Sequence, residues 1–225
     1  MPIQNLEVIL FISTHCTHCA STLELLTKSI KQAKISQLTV INLEADNATE
    51  KYTHIRSVPY IKIGDFEFTG NLDKTDIDEM HNAHSKNILD EYLFSKLFSD
   101  GLLKQAEKLV KENQSYWPTL INLAKSEESK MQTRIGITAI FETQANTLMN
   151  SKENHLIIDS LLSGSTNKNH TIRVDLIYFI SIIYIEMQKL KLDYPKLSDF
   201  IQKTQNDSSE EIRSIIHDAL TEIAE

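Results

Sequence analysis

Apolar and polar residues follow two different rhythms along this chain, and the change falls near residue 86. Before that point, short apolar runs typical of buried strands are separated by stretches with helical spacing. The runs LEVILFIS (6–13) and QLTVINL (37–43) predict two buried strands. The segment PYIKIGDFEFTG (59–70) predicts two short strands joined by a turn at Gly64-Asp65.

Helices are predicted between and after these strands. They cover residues 17–33 and 48–54, and a last helix begins at a cap provided by Asp73 or Thr75. Their inward-facing residues are predicted to be Leu23, Leu26, Ile30, Ala33, Ile77 and Met80. The predicted order is βαβαββα, a parallel crossover followed by a hairpin, which gives an α/β sandwich of modest size.

From about residue 89 every segment has helical spacing, and a repeat is visible in it. Three predicted helices have similar starting segments, residues 128–134, 167–173 and 207–213. Each of these segments ends in an arginine, and the successive arginines are 39 and 40 residues apart. Apolar residues follow each arginine at three and seven positions: Ile137 and Phe141, Leu176 and Ile180, Ile216 and Leu220. A shorter amphipathic segment precedes each one: WPTLINLAK, HLIIDSLL and YPKLSDFIQ.

Helix pairs at a period of about 40 residues resemble HEAT repeats, and the resemblance covers roughly residues 115–225. It implies that a turn Asp or Asn and the arginine early in the second helix bond between neighbouring repeats. The pairs that match are Asn167 with Arg173 and Asp207 with Arg213, whereas Glu128 with Arg134 departs from the pattern. An irregular helical bundle stays open as an alternative.

The segment 171–187 is apolar nearly all round, as a central helix covered on both sides requires. We therefore expect its Tyr178 and Tyr184, and the single tryptophan Trp117, to be core residues rather than ligand contacts.

These two rhythms predict two domains, an α/β domain over residues 1–88 and an all-α domain over residues 89–225. No Gly-, Pro- or Ser-rich linker separates them, so we expect a closely packed junction near residues 86–92.

The candidate chemistry lies in FISTHCTHCAS, where Cys16-Thr17-His18-Cys19 follows a predicted buried strand and begins a predicted helix. Backbone N–H groups and the macrodipole at a helix N-terminus favour an anion. Cys16 is therefore expected to be stabilised as a thiolate, the attacking species in disulfide exchange. Cys19, one turn later, is expected to resolve a mixed disulfide by attacking Cys16.

These residues, with LTVINLEAD and IRSVPYIKIGDFEFTG, resemble the thioredoxin and glutaredoxin superfamily over residues 6–86, with the shorter, glutaredoxin-like core. The resemblance implies that Pro59 is a cis-proline facing the cysteines and that Val58 offers backbone hydrogen bonds to a bound peptide. It also implies that the His18 imidazole stabilises the Cys16 thiolate. Thr17 and His15 are expected to complete the substrate-contact surface.

Three positions depart from the thioredoxin pattern. His15 stands where thioredoxin has a tryptophan, and Leu10 and Asn42 stand where it has a buried aspartate and a lysine. The last two groups assist proton transfer at the second cysteine in that family.

Two other interpretations of CxxC stay open. The motif is half of a zinc site, which His15 or His18 and a further ligand would have to complete. It is also compatible with an inert, structural pair. His81 and His84, three residues apart, are expected to lie on a solvated helix face rather than to bind metal, and no metal or cofactor is predicted.

Composition narrows the class of protein. The 225 residues carry a formal charge of −8, which gives a nucleic-acid role little electrostatic support. No segment reads as a signal peptide, and the longest apolar run, 176–185, is shorter than the ~20 residues that span a bilayer. The two cysteines, three residues apart, are unlike a secreted disulfide scaffold. The protein is expected to be soluble and cytoplasmic.

The sequence therefore predicts a thiol–disulfide oxidoreductase acting on a protein disulfide or dithiol, with helical repeats that recruit a protein partner or substrate. The alternative is an interaction adaptor in which the dithiol is only a redox sensor or is inactive.

Overall fold

The computed structural model describes residues 6–45, 48–152 and 154–224. The chain divides into two compact units, Met1–Leu97 and Phe98–Glu225. The first combines a small sheet with helices and the second is helical.

The first unit contains the predicted order βαβαββα and, after it, most of the helix that begins at Leu89, which was predicted to belong to the all-α domain. Its elements are β1 (Glu7–Ile12), α1 (Cys19–Lys31), β2 (Gln37–Asn42), α2 (Ala48–Lys51), β3 (Tyr60–Ile63), β4 (Phe66–Thr69), α3 (Lys74–Ser85) and α4 (Leu89–Ser99). Asp73 caps α3, as one of the two predicted alternatives required, since its side chain accepts the Asp76 N–H at 2.9 Å.

The four strands form one mixed sheet in the order β2-β1-β3-β4. Strand β1 pairs parallel to β2 and antiparallel to β3, and β3 pairs antiparallel to β4. The predicted crossover and hairpin are both confirmed.

Along each strand, successive side chains point to opposite faces of this sheet. One face carries Val8, Leu10, Ile61 and Phe68, all buried, and Phe66 on the same face meets the ring of Phe94 of α4 edge-on at 5.0 Å. The other face holds a separate core cluster of Phe11, Ile55 and Tyr60, which Ile9, Ile41, Leu43, Tyr52 and Val58 surround.

Two sequence expectations about this unit are wrong. The strand β2 is not buried: no residue of it is fully covered and Val40 is 41% exposed, because β2 lies at the edge of the sheet. The buried residues of α1 are Cys19, Thr22, Leu26 and Ser29. Leu23 and Ile30 are half-buried, and Ala33 is exposed beyond the helix end, with a positive φ of 54°.

The second unit consists of helices. They are α5 (Leu103–Glu112), a 3₁₀ turn (Gln114–Tyr116), α6 (Trp117–Lys125), α7 (Met131–Met149), α8 (Asn154–Gly164), α9 (His170–Lys189), α10 (Pro195–Thr204) and α11 (Glu210–Ala224). The three short and three long helices coincide with the segments that the repeat predicts.

These helices pack in two rows. The shorter helices α6, α8 and α10 contact one another in that order, as do the longer α7, α9 and α11. Helix α9 contacts members of both rows, and nine of its residues are buried. The central position predicted for it is confirmed.

Arginines join neighbouring long helices. Arg173 of α9 forms an ion pair with Asp207, at the turn before α11, which is a bond of the kind expected between repeats. Arg134 of α7 pairs with Asp175, inside α9, rather than with the turn residue Asn167. Arg213 donates to the carbonyl oxygens of its own turn, Asp207 O at 2.7 Å and Ser208 O at 3.1 Å.

Trp117 is fully buried, as predicted, and Phe141 and Phe179 stack beside it at 4.3 Å between ring centroids. Tyr178 and Tyr184 are only half-buried, which corrects the expectation that they are core residues. The phenol of Tyr178 reaches outward and donates to Glu142 at 2.8 Å, because a tyrosine can bury its ring and keep its hydroxyl at the surface.

Candidate functional site

The two cysteines lie between the central strand β1 and the helix α1. The strand ends at Ile12, a polar turn follows, and α1 begins at Cys19. This follows from local sequence, because the apolar run that fills the sheet gives way to Ser13, Thr14 and His15 before helical spacing begins.

Cys16 and Cys19 form a disulfide, with their Cα atoms 5.4 Å apart. The backbone N–H of Cys19 donates to Cys16 Sγ at 3.0 Å. Cys16 is half-buried, whereas Cys19 is 4% exposed. Cys16 is therefore the more exposed of the two cysteines.

Electrostatics at this sulfur favour negative charge. Cys16 Sγ accepts from the first N–H of a 13-residue helix, and no acidic side chain lies in the first turn of that helix. A thiolate there gains from both the hydrogen bond and the helix dipole.

The polar neighbours of the cysteines are accessible. His15, Thr17 and His18 are all exposed. His18 occupies the N-cap position of α1, but its side chain makes no capping hydrogen bond. Its carbonyl oxygen accepts from Ser21 Oγ at 2.9 Å. The role predicted for His18 at the Cys16 sulfur stays a prediction.

The Val58–Pro59 peptide bond is cis, as expected. Pro59 is buried and Val58 is half-buried. Phe11 pairs with Tyr60 in the β1–β3 register, so Ile12 is level with Pro59 one step further on. The end of β1 that leads to Cys16 therefore lies at the same edge of the sheet as the cis-proline.

The two thioredoxin-pattern departures in the strands have distinct surroundings. Leu10 is fully buried and pairs with Val40 and Ile61. Asn42 ends β2, where its Nδ2 donates to Thr14 Oγ1 at 3.3 Å and its Oδ1 accepts from Glu44 N–H at 3.0 Å. Asn42 thus fixes the polar turn before Cys16, a contact that sequence reasoning missed.

A second unpredicted contact anchors α1. The buried hydroxyl of Thr22 lies 3.2 Å from Asn71 Oδ1, across 49 residues of sequence. No local pattern signals such a long-range pair.

A third unpredicted group surrounds Glu67 on the hairpin. Tyr60 donates to Glu67 at 2.5 Å and Lys62 approaches it at 3.5 Å. Burial, and then the bond to Glu67, hold the pKa of Tyr60 well above its usual value. The Lys62–Glu67 pair could have been found from the predicted turn at Gly64-Asp65, because that turn sets these two residues opposite each other.

His81 and His84 are half-buried rather than solvated, which corrects the expectation for them. His81 Nδ1 lies 3.2 Å from the carbonyl oxygen of Lys34. Within residues 6–45, 48–152 and 154–224, no three His, Cys, Asp or Glu side chains come together as a metal-binding group.

Comparisons with protein-family models, with curated proteins and with solved structures give no match. No helix in the part of the chain that the structure describes has the length and apolar character needed to cross a bilayer.

Proposed function

We propose that this protein is a cytoplasmic thiol–disulfide oxidoreductase, built from a thioredoxin-like domain (residues 1–88) and a HEAT-like helical array (residues 89–225). The observation that carries the proposal is the position of Cys16, the more exposed of the two cysteines, whose Sγ accepts the first N–H of α1. The cytoplasmic location is supported by cysteine usage, since both cysteines serve one dithiol and none links distant segments.

In the reducing direction, the Cys16 thiolate attacks one sulfur of a substrate disulfide. The substrate S–S bond breaks, and its other sulfur leaves as a thiolate that takes a proton from solvent. Cys19 then loses its proton to solvent and attacks Cys16 Sγ. The second substrate sulfur leaves, two electrons have passed to the substrate, and Cys16–Cys19 is a disulfide that a dithiol reductant must reduce. Oxidation of a substrate dithiol is the same sequence in reverse.

The surrounding residues have assigned roles in this proposal. Val58 and the cis-Pro59 frame the substrate beside the dithiol, Val58 through its backbone. Thr17 and His15 contact the substrate, which their exposure permits. His18 stabilises the Cys16 thiolate when its imidazole is protonated.

The helical array recruits the protein partner or substrate. Support comes from α7, where Met131 is 74% exposed and Ile135, one turn later, is 61% exposed. Large apolar side chains grouped on a helix surface are typical of protein-binding faces.

One observation favours the adaptor as a second candidate. Leu10, which stands at the position of the buried aspartate of the thioredoxin pattern, is fully buried, and its side chain has no proton to exchange with Cys19. Slow resolution by Cys19 would suit a redox sensor better than an enzyme.

Kinetics with a model disulfide separate the two candidates. The full-length protein is reduced and mixed with a small disulfide, and the rate is compared with that of Cys16→Ser. Turnover that Cys16→Ser abolishes is expected for the oxidoreductase. A single slow oxidation of the dithiol without turnover, in the presence of excess dithiol reductant, would favour the sensor. Cys19→Ser is expected to hold protein substrates as mixed disulfides on Cys16, which identifies them.

A further inference from the structure

Thr22 is a buried hydroxyl at the base of the proposed redox site. It lies three residues after Cys19 on the first turn of α1 and is 1% exposed. Its Oγ1 lies 3.2 Å from Asn71 Oδ1 and 3.3 Å from the His18 carbonyl oxygen, so one hydroxyl hydrogen serves two acceptors. Because burying a hydroxyl without partners is unfavourable, these acceptors stabilise Thr22 where it lies.

The loop that holds Asn71 also contacts the cis-proline. Gly70, the preceding residue, donates its backbone N–H to the Pro59 carbonyl oxygen at 3.0 Å. Gly70 has a φ of +98°, a conformation that favours glycine, and this turns the chain from β4 towards α1. Of these two consecutive residues, Gly70 thus bonds to Pro59, directly before β3, and Asn71 bonds to the helix of Cys19.

We propose that Asn71 is a positioning residue that sets the spacing between the Cys16–Cys19 pair and Val58–Pro59, and that this spacing selects disulfides held in extended peptide segments. The inference rests on the proposed function. A peptide substrate touches Cys16 and the Val58 backbone together, so its rate depends on the distance between them. A small disulfide touches only Cys16 and is less sensitive to that distance.

The test compares kcat/KM for two substrates in the full-length protein. One is a peptide with a single disulfide in an extended segment, and the other is a small aromatic disulfide. Asn71→Ala is expected to lower the peptide-to-small-disulfide ratio by about three- to tenfold, the effect of losing one hydrogen bond. Asn71→Asp keeps an oxygen acceptor for Thr22 and is expected to restore the ratio.

Matched variants on α1 refine the test. Thr22→Val removes the same bond and should lower the ratio as Asn71→Ala does, with no further fall in the double variant. Thr27→Val changes an exposed threonine of the same helix and should leave the ratio unchanged.

Each outcome decides the matter. An unchanged ratio in Asn71→Ala, or equal losses on both substrates together with a lower melting temperature, would overturn the positioning role and leave the oxidoreductase intact. A wild-type protein that turns over neither substrate would overturn both proposals.

Discussion

At the scale of single residues, the two cysteines of this protein differ more than their sequence motif suggests. Cys16 is partly exposed and its sulfur accepts a hydrogen bond from the start of α1, whereas Cys19 is covered. A hydrogen bond to the charged form lowers a thiol pKa, and burial without a partner raises it. The structure therefore places opposite influences on two thiols three residues apart.

We expect the Cys16 thiol to titrate below the ordinary value of ~8.5. The measurement is the thiolate absorbance of Cys19→Ser as a function of pH. The matched control, Cys16→Ser, reports Cys19 and should titrate higher because that thiol is buried. A Cys16 pKa at or above the ordinary value would contradict the prediction.

Replacing His18 is expected to make the protein less oxidising. A protonated imidazole beside Cys16 stabilises the thiolate and hence the reduced form, so His18→Leu should lower the reduction potential by roughly 30 mV, or about 1.4 kcal/mol. The potential is measured by equilibration with glutathione. His15→Leu, another exposed histidine of the same turn, is the control and should shift it less. An unchanged or higher potential in His18→Leu would show that the imidazole points away.

At the scale of elements, the local sequence pattern predicts helix and strand bounds, whereas contacts between distant residues determine where each element lies in the fold. The bounds of α6 are those of the segment WPTLINLAK, because helical spacing and a proline near the start are local signals. The edge position of β2 was not predictable from QLTVIN, because the apolar content of a strand does not say which neighbours it has. The Thr22–Asn71 bond of the candidate site is not predictable either, because it joins residues 49 positions apart in the sequence. The cysteines and the cis-proline are predictable because their residue types and their order along the chain match a known pattern.

The ion pair between Arg173 and Asp207 is expected to stabilise the helical unit. Asp207 is only 12% exposed, so its loss should cost more than a surface pair does, about 1–2 kcal/mol. Arg173→Met, Asp207→Asn and the double variant form the cycle, measured by denaturant unfolding. Asp207→Asn keeps an oxygen for the Ser209 N–H, which Asp207 accepts at 2.9 Å. The control is Lys108→Met, which removes the exposed pair with Glu112 and should cost little.

The same pair predicts a pH dependence. Burial raises the pKa of Asp207, but the Ser209 N–H and Arg173 outweigh it and hold the pKa below its ordinary value. Because the folded-state pKa is the lower one, this stabilisation is present above the unfolded-state pKa and is lost as pH falls through the folded-state value. Unfolding free energy should therefore fall less steeply in acid for Arg173→Met than for the wild type. Parallel acid profiles would count against the pair.

At the scale of the whole molecule, the chain comprises two compact units that differ in their architecture. The predicted domain boundary at residues 88 and 89 stays a prediction. Contacts made by α4 determine how a truncation at that boundary would affect the stability of the α/β unit. Phe94 packs on Phe66 of the sheet, and Lys96 bonds Asp76 of α3 at 2.9 Å. Cutting after residue 88 removes both contacts from the α/β unit.

A segment of residues 1–99 is therefore expected to be more stable than residues 1–88, in which Phe66 loses its aromatic neighbour. Thermal melting of both segments measures this, and equal melting temperatures would contradict it. On a small disulfide, residues 1–99 should match the full chain. On a protein trapped by Cys19→Ser, the segment should be slower, because the helical unit no longer raises the local substrate concentration. Equal relative rates on both substrates would favour the adaptor.

Two ion pairs described above affect how the helical unit unfolds. One links α7 to α9, and the other links α9 to the turn before α11. Each pair joins adjacent members of the row. In the helical repeat array that we propose, stability would be approximately a sum of such nearest-neighbour terms. Loss of one of these ion pairs would weaken the coupling between the two helices it joins. Helix α11, at the end of the row, is then expected to unfold before the central α9, and a partner bound across both junctions would stabilise both.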